Sequence, residues 1–214
     1  MKKYKYLFFD FDGTLTDTFE GVAKILDMTF AKYGKNIDRK NYSKFIGPPL
    51  SDTFAELFGK ELVAESVEFF KQNYMREKAI YMTKVYDGME LCLKTLQEQN
   101  FVVGVATCKI QEEADELLDY FNLKKYIDFV SGLCYTVREQ KCDILQYAID
   151  NLGANKDECL MIGDTIFDVD GAQKVGVDCI LCLWGFGDFE KIDNDNVVFR
   201  AEKPMDIVDF LNCD

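Results

Sequence analysis

Two acidic segments stand directly after apolar runs. Asp10-Phe11-Asp12-Gly13-Thr14 follows Tyr6-Leu7-Phe8-Phe9, and Gly163-Asp164, with Asp168 four residues on, follows Cys159-Leu160-Met161-Ile162. Carboxylates such as Asp10, Asp12 and Asp164 crowded at one edge repel unless a cation sits among them. A cluster of carboxylate oxygens suits Mg²⁺, which readily shares its shell with a substrate phosphate. Lys141 and the Thr107 hydroxyl would then supply positive charge and a hydrogen bond to phosphoryl oxygens, and backbone N–H groups of the turn at 10–13 would add donors.

The 214 residues include no His. That excludes Ser-His-Asp and Cys-His nucleophile pairs, phosphohistidine chemistry and His-ligated zinc or iron. The remaining candidate nucleophile is a carboxylate, Asp10. Asp12, two residues on in a loop, is the candidate general acid and then base.

These residues need a scaffold that brings them together. Residues 4–9, 101–106, 127–131, 158–162 and 178–183 read as strands, several of them apolar on both faces. Helical spacing appears at 88–99, 110–121, 139–152 and 168–175. Buried strands alternating with helices indicate a doubly wound α/β domain with a parallel sheet, whose functional loops lie beyond the carboxyl ends of the strands. Residues 16–83 differ: helical spacing broken at Gly34, Gly47-Pro48-Pro49 and Gly59 predicts four or five helices inserted as a bundle. The expected domains are a core of 1–15 and 84–214 and a helical insertion of 16–83.

An isolated Asp-x-Asp-Gly is also ordinary turn chemistry. An EF-hand fails, because Leu15 and Gly21 occupy the positions that need Gly and Glu. Gly163-Asp164 and Asp168 read alone as a strand-ending turn and a helix N-cap. Cys179 and Cys182, three apart on a strand, would face opposite ways and are poorly placed to chelate. The eight Cys read as reduced thiols of a cytoplasmic protein without an export signal. A formal charge of −13, with no basic run longer than Lys2-Lys3 or Lys124-Lys125, opposes nucleic acid and anionic membranes as partners.

In this order the segments resemble the haloacid dehalogenase superfamily of aspartate-nucleophile phosphatases over essentially the whole chain. The resemblance rests on Phe8 to Asp17, on Ala106-Thr107-Cys108-Lys109, on Lys141 opening a helix, and on Met161 to Ala172. It implies that Asp10 forms an aspartyl-phosphate and Asp12 is the general acid/base. It further implies that Asp10, the Asp12 backbone carbonyl and Asp164 hold Mg²⁺, and that Thr107, Cys108 and Lys141 bind the phosphoryl group. Asp168 would support Lys141 or a metal-bound water. The helical insertion matches the mobile cap of the phosphoglycolate-phosphatase-like branch, and Phe45-Ile46-Gly47-Pro48-Pro49-Leu50 and Leu183-Trp184-Gly185-Phe186-Gly187 look like segments of phosphoglycolate phosphatases and 5′-nucleotidases.

The implied activity is hydrolysis of a small soluble phosphomonoester, with a 5′-nucleotidase as the alternative. A monomer is compatible with a cap of this size. Sugar phosphomutases of the family carry a His near the cap hinge, which is absent here. Dehalogenase and phosphonatase relatives lack the second acid of the first motif, present here as Asp12. A catalytically silent binding module would be expected to have lost one of Asp10, Asp12, Lys141 or Asp164. Lys44, beside the Gly47 to Ser51 loop, and Lys109 are further basic candidates near a substrate.

Overall fold

The computed structural model describes residues 4–213. Met1, Lys2, Lys3 and Asp214, counted in the expected core domain and basic run, lie outside the described residues. The strands are β1 (Tyr6–Phe9), β2 (Thr16–Asp17), β3 (Lys84–Val85), β4 (Val102–Ile110), β5 (Phe129–Leu133), β6 (Cys159–Gly163), β7 (Asp178–Cys182) and β8 (Val197–Ala201). The helices are α1 (Phe19–Lys32), α2 (Leu50–Phe58), α3 (Val63–Arg76), α4 (Met89–Glu98), α5 (Gln111–Tyr120), α6 (Lys141–Leu152), α7 (Ile166–Val175) and α8 (Pro204–Asn212). Two compact units result, Met1–Thr16 with Val85–Asp214, and Asp17–Lys84. The chain leaves and re-enters the first unit through β2 and β3, which pair as a two-stranded ribbon.

The first unit is an α/β doubly wound domain. Its sheet has the order β5-β4-β1-β6-β7-β8, and every pairing is parallel. The apolar run of β1 explains its central place, since Leu7, Phe8 and Phe9 are fully enclosed between neighbours on both sides. The chain builds outward through β4 and β5 and then returns to β6. The strand order therefore reverses beside β1, where open parallel sheets form a crevice at their carboxyl ends.

The helices pack by their 3.6-residue period. Ile144, Leu145, Ala148 and Ile149 of α6 and Val169, Ala172 and Val175 of α7 share one buried cluster with Phe8, Met161 and Cys179. Met89, Cys92, Leu93 and Leu96 give α4 an enclosed face of the same spacing. Truncating one such leucine to alanine costs about 2–5 kcal/mol. Cys179 belongs to the cluster under α6 and α7 whereas the equally buried Cys182 does not, as expected of residues three apart on a strand. The eight cysteines are free thiols.

The second unit has three α-helices, fewer than the periodicity predicts. Arg39–Phe45, Lys60–Leu62 and Ala79–Met82 are 3₁₀ turns. Tyr42 and Phe45 still enter the core there, so their apolar spacing reflects packing without an α-helix. Phe30 meets the rings of Tyr42, Phe45 and Phe58 edge-on at 5.3, 5.7 and 6.2 Å, a geometry that aromatic quadrupoles favour.

Four of these strands and helices stand outside the sequence reading: the two-residue strands β2 and β3, the edge strand β8, and α8. β8 is an edge strand with alternating half-exposed residues, a weaker signal than an enclosed strand. α8 starts with Pro204 at its first turn and Asp206 behind it, whose Oδ2 accepts the N–H groups of Glu202 and Lys203 at 2.9 and 3.0 Å. Among the described residues no helix is long and apolar enough to cross a membrane.

Candidate active site

β1, β4 and β6 lie side by side, so Asp10, the 107–109 segment and Asp164 reach one rim. Lys141, first residue of α6, reaches the same place. Its Nζ lies 2.7 Å from Asp10 Oδ1 and 2.6 Å from Asp168 Oδ1, and donates to the Ala106 carbonyl at 2.9 Å. Burial opposes the lysine's charge, but the Asp10 and Asp168 carboxylates override it and hold Lys141 above the ordinary lysine range.

Asp168 is not the N-cap of α7. Thr165 is the N-cap, and Asp168 sits one turn in, its Oδ2 accepting from Thr165 N at 3.0 Å and Thr165 Oγ1 at 2.8 Å. Its other oxygen is thereby turned to Lys141, so one fully buried carboxylate starts the helix and anchors the lysine.

Asp164 is completely enclosed. Thr14 Oγ1 donates to its Oδ1 at 2.9 Å and the Phe186 N–H to its Oδ2 at 2.7 Å. Its cradle needs glycine. Gly13 has φ +87, and a Cβ there would fall 2.2 Å from Asp164 Oδ2; a Cβ on Gly185 would meet the same oxygen at 2.2 Å. Trp184 closes the loop by donating Nε1–H to the Thr14 carbonyl at 3.1 Å. Thr14 and the Trp184 to Phe186 loop are thus site components to which sequence reasoning gave no role, although both stand inside segments it singled out.

The second segment also differs from expectation. β4 continues to Ile110, so Thr107, Cys108 and Lys109 lie within the strand, where the register against β5 shifts between Ala106 and Ile110. Such a shift re-aims side chains. Thr107 is buried and its Oγ1 accepts from Lys109 N at 3.2 Å, leaving the hydroxyl proton available. Burial pushes the Cys108 thiol up to about 11, so that segment offers backbone groups and no thiolate. Lys109 Nζ lies 3.0 Å from Asp12 Oδ2. Lys124 and Lys125 pair instead with Asp115 and Glu90.

Carboxylate oxygens of Asp10, Asp164 and Asp168 all lie within 4.8 Å of one another. The carboxylate of Asp12 stands apart from this set, on Lys109. Burial first, then the Asp168 charge, pushes Asp10 up to about 6 against the pull of Lys141. Burial, then Asp168 and Asp10, raises Asp164 well above the carboxylate range. Three buried acids share a rim with one buried ammonium, so they cannot all ionise there without a further cation among them. An oxygen-only donor set in that condition fits a hard divalent cation.

Within the helical unit, Lys44, Phe45, Pro48, Asp52, Thr53, Glu56 and Leu57 line a cavity of about 220 Å³.

Residues 7–182 match the family described as haloacid dehalogenase-like hydrolase. The chain belongs to the haloacid dehalogenase-like hydrolases. Among its relatives in that family, a 5′-nucleotidase from Pseudomonas aeruginosa is 31% identical over 208 residues, 94% of this chain and 90% of the relative. A pyrophosphatase PpaX from Halalkalibacterium halodurans is 32% identical over 209 residues, 94% of each chain. A phosphoglycolate phosphatase from Aquifex aeolicus is 26% identical over 210 residues, 97% of each chain.

Proposed function

We propose that this phosphoric monoester hydrolase cleaves a small soluble phosphomonoester in two steps through an aspartyl-phosphate on Asp10, with Mg²⁺ as cofactor. The observation that carries this reading is Asp10 itself, a buried carboxylate at the end of the central strand, gripped by Lys141 and surrounded by Asp164 and Asp168.

In the first step an Asp10 carboxylate oxygen attacks phosphorus, the ester P–O bond breaks, and Asp12 gives its proton to the departing oxygen. In the second, water attacks the phosphoryl group, Asp12 takes the water's proton, and the Asp10 O–P bond breaks to restore the carboxylate. The Thr107 hydroxyl, the Cys108 backbone and Lys141 orient the phosphoryl oxygens, and Asp168 keeps Lys141 in place. Asp10, Asp164 and the Asp12 backbone carbonyl would hold Mg²⁺, which when bound offsets the phosphate's charge as it transfers. The helical unit acts as a cap whose closure excludes water and selects the substrate.

Phosphoglycolate-like small acids are the first substrate class, supported by the Aquifex relative. Nucleoside 5′-monophosphates are the second, favoured by the Pseudomonas relative. The free thiols suit a reducing, cytoplasmic setting.

The test is hydrolysis of p-nitrophenyl phosphate with and without Mg²⁺, then of phosphoglycolate, nucleoside monophosphates, sugar phosphates and pyrophosphate. Turnover that requires Mg²⁺ and disappears in Asp10→Asn is expected. Equal turnover in EDTA, or an active Asp10→Asn, contradicts the reading.

A further inference from the structure

The rim holds a second buried lysine to which the two-step reading assigns nothing. Lys109 lies at the end of β4 with only 6% of its side chain exposed, and its Nζ is 3.0 Å from Asp12 Oδ2. Its ammonium also stands 5.7 Å from the centre of the Phe11 ring, the residue between the two acids of the first segment. Its backbone is held as well, through the bond from Lys109 N to Thr107 Oγ1. A buried ammonium is costly unless paired, so this side chain has little freedom to leave its carboxylate.

The consequence falls on Asp12. With Oδ2 on the lysine, the other oxygen, Oδ1, is buried without a hydrogen-bond partner from the protein. Lys141 thus pairs with Asp10 and Asp168, and Lys109 with Asp12.

We propose that Lys109 is a positioning residue, which fixes the orientation of the Asp12 carboxylate for proton exchange with the leaving group and with water. This rests on the reading of Asp12 as proton carrier. Lys109 itself gives and takes no proton; it removes the rotamer freedom of Asp12, whose charge also pushes against Asp10. Untethered, Asp12 spends less time within reach of the leaving oxygen, and displacements near 1 Å cost roughly 100-fold in rate.

The test separates positioning from phosphate binding by the leaving group. p-Nitrophenolate departs readily without a proton, whereas the alkoxide of β-glycerophosphate needs one. kcat/KM, which covers the steps up to leaving-group departure, is measured on both for wild type, Asp12→Asn, Lys109→Met, Lys109→Gln and Lys109→Arg, with melting temperatures alongside. Two neutral variants are included so that a folding defect in one still leaves a readable protein.

The expected result is a loss in Lys109→Met and Lys109→Gln at least ~10-fold larger on β-glycerophosphate than on p-nitrophenyl phosphate, in the direction of Asp12→Asn and largely restored by Lys109→Arg. Equal losses on the two esters, with Asp12→Asn still discriminating between them, would overturn the role of Lys109 and leave that of Asp12 standing. No discrimination in Asp12→Asn would overturn the Asp12 reading and this inference with it.

Discussion

Thr14 Oγ1 donates a 2.9 Å hydrogen bond to Asp164 Oδ1, joining the loop after β1 to the end of β6. A threonine followed by Leu15 in an apolar stretch would otherwise read as a plain turn residue. Its hydroxyl and the Phe186 N–H hold the two oxygens of Asp164 from opposite partners, so they orient a carboxylate that desolvation alone would neutralise.

Thr14→Val keeps the shape and removes the donor. Outer partners of a metal ligand are typically worth about 10–100-fold in affinity. The Mg²⁺ concentration for half-maximal activity, and for half of the Mg²⁺-induced rise in melting temperature, should both increase by that order. An unchanged Mg²⁺ dependence would mean that Thr14 does not set the orientation of Asp164.

Gly171 on α7 faces the stem of Lys141. A Cβ there would lie 2.6 Å from Lys141 Cγ and 2.9 Å from its Cβ, with Cys142 N at 3.4 Å. These atoms are near the backbone and cannot swing clear. Helix propensity favours Gly171→Ala by about 1 kcal/mol, whereas overpacking costs typically 1–3 kcal/mol. The variant should have a lowered melting temperature and a kcat reduced by roughly 10-fold or more through displacement of Lys141. A stabilised, fully active Gly171→Ala would show that α6 and α7 have slack at this contact.

The pH dependence of the metal-free protein has a definite sign. Asp10 is raised from 3.8 to about 6, so the folded protein keeps a proton that the unfolded chain has already released. The stability this contributes is present below pH 3.8 and is lost as pH rises through 6. Asp10→Asn removes the titration. In EDTA at pH 7.5 it should melt above wild type, by an amount that shrinks as pH falls toward 4. Mg²⁺ should close the gap by raising wild type more than the variant. A gap that widens on acidification would reverse the assigned direction.

How legible the site was depended on where each residue sits. Asp10 and Asp164 follow enclosed strands whose apolar runs are unmistakable, and strands β1 and β6 are neighbours, so their loops had to meet. Thr107 and Lys109 were harder to locate, because β4 runs on past Ala106 and a register shift, invisible in composition, turns the segment toward the rim. The dual use of Asp168 was legible only in halves, as a helix-start residue or as a partner of Lys141; that one carboxylate does both follows from its two oxygens. The helix expected between Gly34 and Gly47 gave way to a 3₁₀ turn, since aromatic packing by Tyr42 and Phe45 needs no α-helix. The partners of Asp164 come from Thr14 and from beyond β7, 150 and 22 residues away, and no local pattern announces such contacts.

Covalent catalysis by Asp10 is tested most directly by rapid acid quench. Asp12→Asn should still be phosphorylated by p-nitrophenyl phosphate but hydrolyse the product slowly, so the phosphoenzyme should accumulate. Mass spectrometry of the quenched protein in Mg²⁺ should find one phosphoryl group on the peptide containing Asp10, none when Asp10→Asn is added, and release of p-nitrophenol in a burst matching the enzyme concentration. A wild type that turns over while Asp12→Asn shows no burst and no phosphorylated Asp10, or a phosphoryl group on another residue, would contradict it.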